Sequence, residues 1–233
     1  MQPELRQYFN ALTAALGPMH WWPARTPFEV IAGAILTQNT AWVNVERAIA
    51  NLRQARLLTP AALESVATPR LARLIRSSGY FRQKAKKLKA FVRFLRRDFG
   101  GSLARMFRTP TPELRARLLA VHGIGPETAD SILLYAGNHP VFVVDAYTKR
   151  ILVRHGLAGE KAAYEEIRAI FERNLPQDVK LYNEFHALLV NVGKNWCRTK
   201  NPLCDRCPLG LFLPAKSILT APAEATAPPE VRP

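Results

Sequence analysis

Residues 114–151 decide the fold. They read Leu114-Arg-Ala-Arg-Leu-Leu-Ala-Val-His-Gly-Ile-Gly-Pro-Glu-Thr-Ala-Asp130, then Ser131-Ile-Leu-Leu-Tyr-Ala-Gly-Asn-His-Pro140, then Val141-Phe-Val-Val-Asp-Ala-Tyr-Thr-Lys-Arg-Ile151. The spacing predicts a helix running to about Val121 and a new helix starting near Pro126. Between them Gly123-Ile124-Gly125 makes a tight turn, because two glycines let the backbone reverse while Ile124 fills the space between the helices. Such a turn presents amide N–H groups at a helix N-terminus, a geometry that suits a phosphate oxygen. Taken alone, the turn could equally be an ordinary connection between two helices. Asp145 follows an apolar run and precedes a helical pattern, which places it at an N-cap. There the helix dipole and neighbouring N–H groups favour its ionised form. A carboxylate so placed could serve only as a cap, or could stabilise a sugar cation or align a water.

The rest of the chain is also read as helix. Thr59-Pro60, Thr68-Pro69 and Thr111-Pro112-Glu113 each combine a capping residue with Pro at the first helical position. In 82–99, Ala85, Leu88, Phe91, Val92, Leu95 and Phe99 form one apolar stripe, and Lys and Arg cover the remainder. Pro140–Val144 is β-like but has no partner strand, so it is read as a buried extended connector. The tail from Pro214 onward is rich in Ala and Pro and is expected to be disordered.

Composition narrows the partner. The 233 residues carry 33 Lys+Arg against 18 Asp+Glu, a formal net charge of +15. That balance favours a polyanion. An anionic membrane surface is the weaker rival, since no long basic helix with a clean aromatic face is present. No run approaches the ~20 apolar residues needed to span a bilayer. The N-terminal segment lacks a basic start followed by an apolar stretch, so no secretory leader is expected and the cytoplasm is the default compartment. The three cysteines, Cys197, Cys204 and Cys207, are clustered and odd in number, which suits metal ligation better than a disulfide framework.

Together these segments resemble the endonuclease III branch of the helix–hairpin–helix DNA glycosylase superfamily, over roughly residues 5–213. The hairpin with its following Val-Asp matches that family's hairpin and catalytic aspartate. Ile35-Leu36-Thr37-Gln38-Asn39-Thr40 resembles its early loop, where a polar side chain fills the gap left by a flipped base. Asn195-Trp-Cys-Arg-Thr-Lys-Asn-Pro-Leu-Cys-Asp-Arg-Cys-Pro-Leu209 resembles its iron–sulfur loop. The resemblance implies an all-α, two-lobed fold with an interdomain active-site cleft and a C-terminal, degenerate iron–sulfur loop. A six-helix barrel over 25–139 would be inserted between the N-terminal residues 1–24 and residues 140–213, leaving 214–233 as the tail. Asp145 carries over as the catalytic carboxylate, with Glu127 facing it. Gly123, Ile124, Gly125 and Thr128 carry over as the hairpin that holds DNA, with Gln38 or Asn39 as the gap filler. The implied partner is double-stranded DNA with a damaged base, bound by a monomer.

Two departures from the family pattern refine the chemistry. Bifunctional members carry a lysine at the fifth hairpin position, where the amine forms a Schiff base with the sugar. Here that position is Glu127, so a monofunctional glycosylase using water is expected. Lys149, four residues after Asp145, is the candidate for residual lyase chemistry, or a phosphate-binding lysine. The metal loop departs too. Cys197, Cys204 and Cys207 fit the first three places of Cys-x6-Cys-x2-Cys-x5-Cys, but the fourth holds Leu213. Four thiolates normally hold a [4Fe–4S] cluster. Three leave open a cluster with an outside ligand, a three-iron cluster, or a metal-free remnant. Trp21-Trp22-Pro23 and Trp42 resemble the base pocket of the 3-methyladenine glycosylase subgroup. The chemistry agrees, because an alkylated purine is cationic and an aromatic sandwich attracts a cation. The rival readings are an endonuclease III acting on oxidised pyrimidines with strand nicking, which Glu127 opposes, and a non-catalytic damage-binding module, which Asp145 opposes.

Overall fold

The computed structural model describes residues 5–19, 21 and 24–214. Trp22, Pro23 and the expected tail beyond Pro214 lie outside these. Twelve α-helices are described: α1 (Leu5–Leu16), α2 (Pro27–Leu36), α3 (Trp42–Gln54), α4 (Pro60–Ser65), α5 (Thr68–Leu74), α6 (Phe81–Phe99), α7 (Leu103–Met106), α8 (Thr111–Leu119), α9 (Pro126–Ser131), α10 (Ala146–Arg154), α11 (Tyr164–Asn174) and α12 (Val179–Asn195). A π-helical segment, Ile132–Ala136, continues α9. Among the described residues there is no strand, and no helix is long and apolar enough to cross a membrane.

Two hydrophobic cores organise the molecule. The first is built around α2, whose residues 28–36 are all buried. A helix buried on every side sits at the centre of its neighbours, its one charge, Glu29, paired with Arg53, and α2 packs against α3, α6, α9 and the π-helical segment. The predicted stripe of α6 is buried against this core. The second core gathers α1, α10, α11 and α12 with Phe142, Val143 and Val144. Phe142 stacks on Phe171 at 3.7 Å between ring centroids, so the segment before Asp145 is a buried extended connector. The π-helical segment serves both cores. Ile132 and Leu133 face the first, and Leu134 faces the second.

The charge run on α6 is not one uniform solvated face. Lys84 is buried, donating to the Leu36 carbonyl at 2.9 Å and the Ser78 carbonyl at 2.5 Å. Burial, and secondarily Lys87, lower its pKa to about 8. The last carbonyls of a helix lack partners within it, and Lys84 supplies one at the end of α2, where the Thr37–Thr40 loop departs.

Three predicted starts can be compared with the helices. Thr59 caps α4 by accepting from the Ala62 N–H. Helices α5 and α8 start one residue earlier than expected, with Thr68 and Thr111 inside the helix. The Thr111 hydroxyl is engaged elsewhere, 2.8 Å from His139 Nδ1.

A polar lock joins the hairpin helix to α11. Asp130 is fully buried on α9 and receives two bonds from the Arg115 guanidinium, at 2.7 and 3.1 Å. The Tyr164 hydroxyl of α11 donates to Asp130 at 2.8 Å, and Arg115 reaches Glu165 at 2.6 Å. Arg168 stands 3.7 Å from the same carboxylate, so Arg115→Ala removes two charge-assisted bonds without leaving Asp130 unpaired, and should cost about 2–3 kcal/mol of stability. Urea unfolding followed by circular dichroism measures this. A loss under about 1 kcal/mol, the range of an exposed pair, would show the lock to be unimportant.

Candidate active site

Asp145 is the N-cap of α10. Its Oδ1 accepts from the Thr148 N–H at 2.7 Å, as the sequence pattern predicts. Its Oδ2 faces His186 Nε2 of α12 at 3.7 Å. Burial works against the charge, but His186 and the Thr148 N–H outweigh it and hold the carboxyl below the usual carboxylate range. Glu127, on the first turn of α9, goes the other way. Burial first, and Asp145 second, push its carboxyl up, against a smaller pull from His186. Two carboxyls in one cleft thus have environments that drive their protonation apart, the arrangement found where acid and base roles are divided.

Both carboxyls line one cleft of about 1300 Å³. Its walls bring together most of the residues singled out in the sequence: Trp21, Gln38, Asn39, Trp42, Gly123, Ile124, Gly125 and Thr128. Trp42 starts α3, and its indole N–H donates to Glu46 Oε1 at 2.9 Å. Trp21 stands edge-on to the His186 ring, 6.3 Å between centroids, with Lys194 Nζ 5.7 Å from its own ring centre. Lys149 is not among the residues lining the cleft. Its Nζ donates to the Ala162 carbonyl at 2.8 Å, which draws the amine away from Asp145.

The loop motif is tied to the hairpin. Gln38 Nε2 donates to the Gly123 carbonyl at 3.0 Å and to Thr128 Oγ1 at 2.9 Å, while its Oε1 accepts from Lys87 Nζ. Gly123 has a φ of +81°, and a Cβ there would collide with the Lys87 methylenes. Only glycine meets both constraints. Ile124 is buried in the first core, filling the turn as expected. Asn39 takes a left-handed backbone, with φ +52°.

The sequence reading missed His186, Tyr135, Tyr164, Lys87 and Lys194. The signal for one group was present. His186, Val190 and Lys194 recur at helical spacing on α12, and all three line the cleft. Nothing local in the sequence marked that face as functional.

The donor set of the cysteine loop does not fit a four-thiolate cluster. The fourth place is Leu213, and among the described residues no three His, Cys, Asp or Glu side chains are gathered so as to hold a metal ion. Burial and then Cys197 push the Cys204 thiol up, and burial, with Cys197 and Cys204, does the same for Cys207. Protein contacts also fasten the loop. Arg150 donates to the Cys197 and Gly193 carbonyls at 2.7 and 2.9 Å. Arg154 reaches Cys197 Sγ at 3.2 Å and the Arg198 carbonyl at 2.6 Å. Leu209 is buried, and the Phe212 ring lies 4.9 Å from that of Tyr8.

Residues 32–177 match the model of the HhH-GPD superfamily of base excision DNA repair proteins. The chain belongs to this family. It is a helix–hairpin–helix DNA glycosylase of base excision repair. A Methanocaldococcus jannaschii protein, described provisionally as a DNA repair glycosylase, is 50% identical over 210 residues, 89% of this chain and 94% of that one. Endonuclease III of Thermotoga maritima is 30% identical over 181 residues, 78% of this chain and 79% of that one. Among solved structures, the H. pylori 3-methyladenine DNA glycosylase bound to 1,N6-ethenoadenine matches with a TM-score of 0.70 and 30% identity, covering 81% of this chain and 96% of that one. An endonuclease III–DNA covalent intermediate matches in fold, with a TM-score of 0.78 and 22% identity, covering 92% and 95%.

If protein contacts alone hold the cysteine loop, replacing Cys204 and Cys207 by Ser should leave the melting temperature within a few degrees of the parent. Arg154→Ala should lower it more. Iron and sulfide analysis of anaerobically purified protein should find neither. Stoichiometric iron and sulfide, lost in the double Ser variant along with several degrees of melting temperature, would overturn this account.

Proposed function

We propose that this glycosylase removes an alkylated, cationic purine such as 3-methyladenine from duplex DNA, with water as nucleophile and no strand cleavage. One observation carries the reading. At the hairpin position where a bifunctional enzyme needs an amine, the chain places Glu127, inside the cleft and opposite Asp145. A carboxylate cannot form a Schiff base, but it can attract a cation. The likeness to the H. pylori glycosylase supports the same substrate class.

The steps follow from the residues present. The hairpin amides at Gly123–Gly125 hold a phosphate oxygen, and the excess of basic residues grips the duplex. The damaged nucleotide leaves the stack at a cost of a few kcal/mol, smaller for a lesion that already weakens pairing. Gln38 has its amide engaged on both sides, so Asn39 fills the vacated space. Trp21 and Trp42 flank the base, and the cation is drawn to their faces. The C1′–N bond then breaks. Its electron pair passes to the purine, which leaves neutral and therefore needs no general acid. Ionised Asp145 stabilises the positive charge growing on the sugar and orients a water toward C1′. The water oxygen bonds to C1′, its proton passes to solvent by way of Asp145, and an abasic site remains.

The lysines near the cleft are engaged. Lys87 binds Gln38, Lys149 binds Ala162, and Lys194 lies over Trp21.

The test is base release and nicking on methylated-purine duplex and, separately, on oxidised-pyrimidine duplex. Wild type should free methylated purine without nicking, and Asp145→Asn should lose about a hundredfold or more in rate. Efficient nicking of the oxidised substrate would contradict the reading. Release from neither duplex, with tight binding kept, would favour a damage-binding module. The pH profile adds a second check. Asp145 is needed ionised, and its shift is downward, so its own limb falls below the ordinary carboxylate range. Glu127 is shifted upward, so it gains its charge only as pH rises through a point above that range. Capture of the cationic base should strengthen across that interval, and the step should vanish in Glu127→Gln. A profile unchanged by Glu127→Gln would remove Glu127 from cation recognition.

A further inference from the structure

We infer that His186 is a positioning residue for Asp145: anchored by Tyr135, it presents its Nε2–H to the carboxylate oxygen that the Thr148 N–H leaves open. The inference rests on the reading of Asp145 as the reacting carboxylate.

The geometry starts at Tyr135 on the π-helical segment. Its hydroxyl is 2.5 Å from His186 Nδ1. Burial, and then Asp145, hold that phenol well above its ordinary range, so it keeps its proton. A phenol both donates and accepts, and with its O–H aimed at Nδ1 that nitrogen is the acceptor. In that tautomer the ring's own proton sits on Nε2, toward Asp145. His186 Nε2 is buried without a hydrogen-bond partner. It faces Asp145 Oδ2 at 3.7 Å. An unpaired buried N–H is costly, and the nearby carboxylate oxygen relieves that cost on a small closing motion. Catalytic hydrogen bonds often tighten in this way once substrate fills a site.

The arrangement does two things. It pins the carboxylate plane, with Oδ1 held by Thr148 and Oδ2 steered by His186. It also supports a charge on Asp145 inside a cleft that otherwise opposes it. The other titratable groups lining that cleft are Glu127 of α9, Tyr147 of α10, Tyr164 of α11, and Lys87 and Lys194 of α6 and α12. The Trp21 ring edge closes the far side of the histidine.

The test uses the full chain with 13C-carboxyl aspartate. Five aspartates report, and the Asp145 signal is assigned by its loss in Asp145→Asn. In His186→Phe the Asp145 titration midpoint should rise by about one pH unit. His186→Gln, which keeps a neutral N–H donor, should recover part of that shift. Tyr135→Phe, which frees the ring to reorient, should shift it in the same direction by less. The acid limb of single-turnover base release should move with the midpoint while KM for the duplex stays put. An unchanged midpoint in folded His186→Phe, or in Tyr135→Phe together with His186→Ala if the first does not fold, overturns the inference. Failure of wild type to release any base would sink the functional reading alone, because the carboxyl midpoints decide the role of His186 without substrate.

Discussion

The site depends on keeping a charge on a carboxylate that is mostly withdrawn from water. A carboxylate moved into a buried setting tends to take up a proton, and only close donors prevent it. Asp145 meets this constraint with the N–H of Thr148 at the head of α10 and the imidazole of His186 from α12. The extended run Val141–Val144 delivers it there, locked by the stack of Phe142 on Phe171. The helices of the second core thus hold one charged oxygen pair at the cleft, and the first core supplies the hairpin that faces it.

Glu127 gives the cleft its second character. It lies close enough to Asp145 to feel that carboxyl's charge, yet the donors belong to Asp145. The cleft therefore holds one carboxylate committed to its charge and one that responds to what enters. On the proposed reading, a cationic purine would bring the charge that Glu127 lacks nearby, and in leaving as a neutral base would remove that charge again. Binding and chemistry would then be coupled through the same positive charge, moving from base to sugar as the bond breaks.

Much of this was legible in the chain. The Gly123-Ile124-Gly125 turn, the cap at Asp145 and the stripe on α6 are local patterns, and local patterns report helix ends and faces directly. The Thr59 cap was readable for the same reason. The starts of α5 and α8 were misplaced by one residue, and at Thr111 the cause is a hydroxyl bound to His139, far away in sequence. The partners of Asp145 were not legible either. Tyr135 and His186 are 51 residues apart and look like ordinary members of helix faces. Lys84 was hidden in a run of like charges, although it caps the end of α2. Long-range polar contacts carry no sequence period, so only the packed structure shows them. The same holds for the arginines of α10 that fasten the cysteine loop, whose four-ligand pattern ends at Leu213.

On the proposed mechanism water, not an amine, attacks the sugar. Borohydride added during turnover reduces any Schiff base to a stable protein–DNA adduct. With methylated-purine duplex and with abasic duplex, no adduct should appear on a denaturing gel while base release proceeds from the former. An adduct forming at the rate of base release would contradict it, and mapping the modified lysine would show which amine had been overlooked.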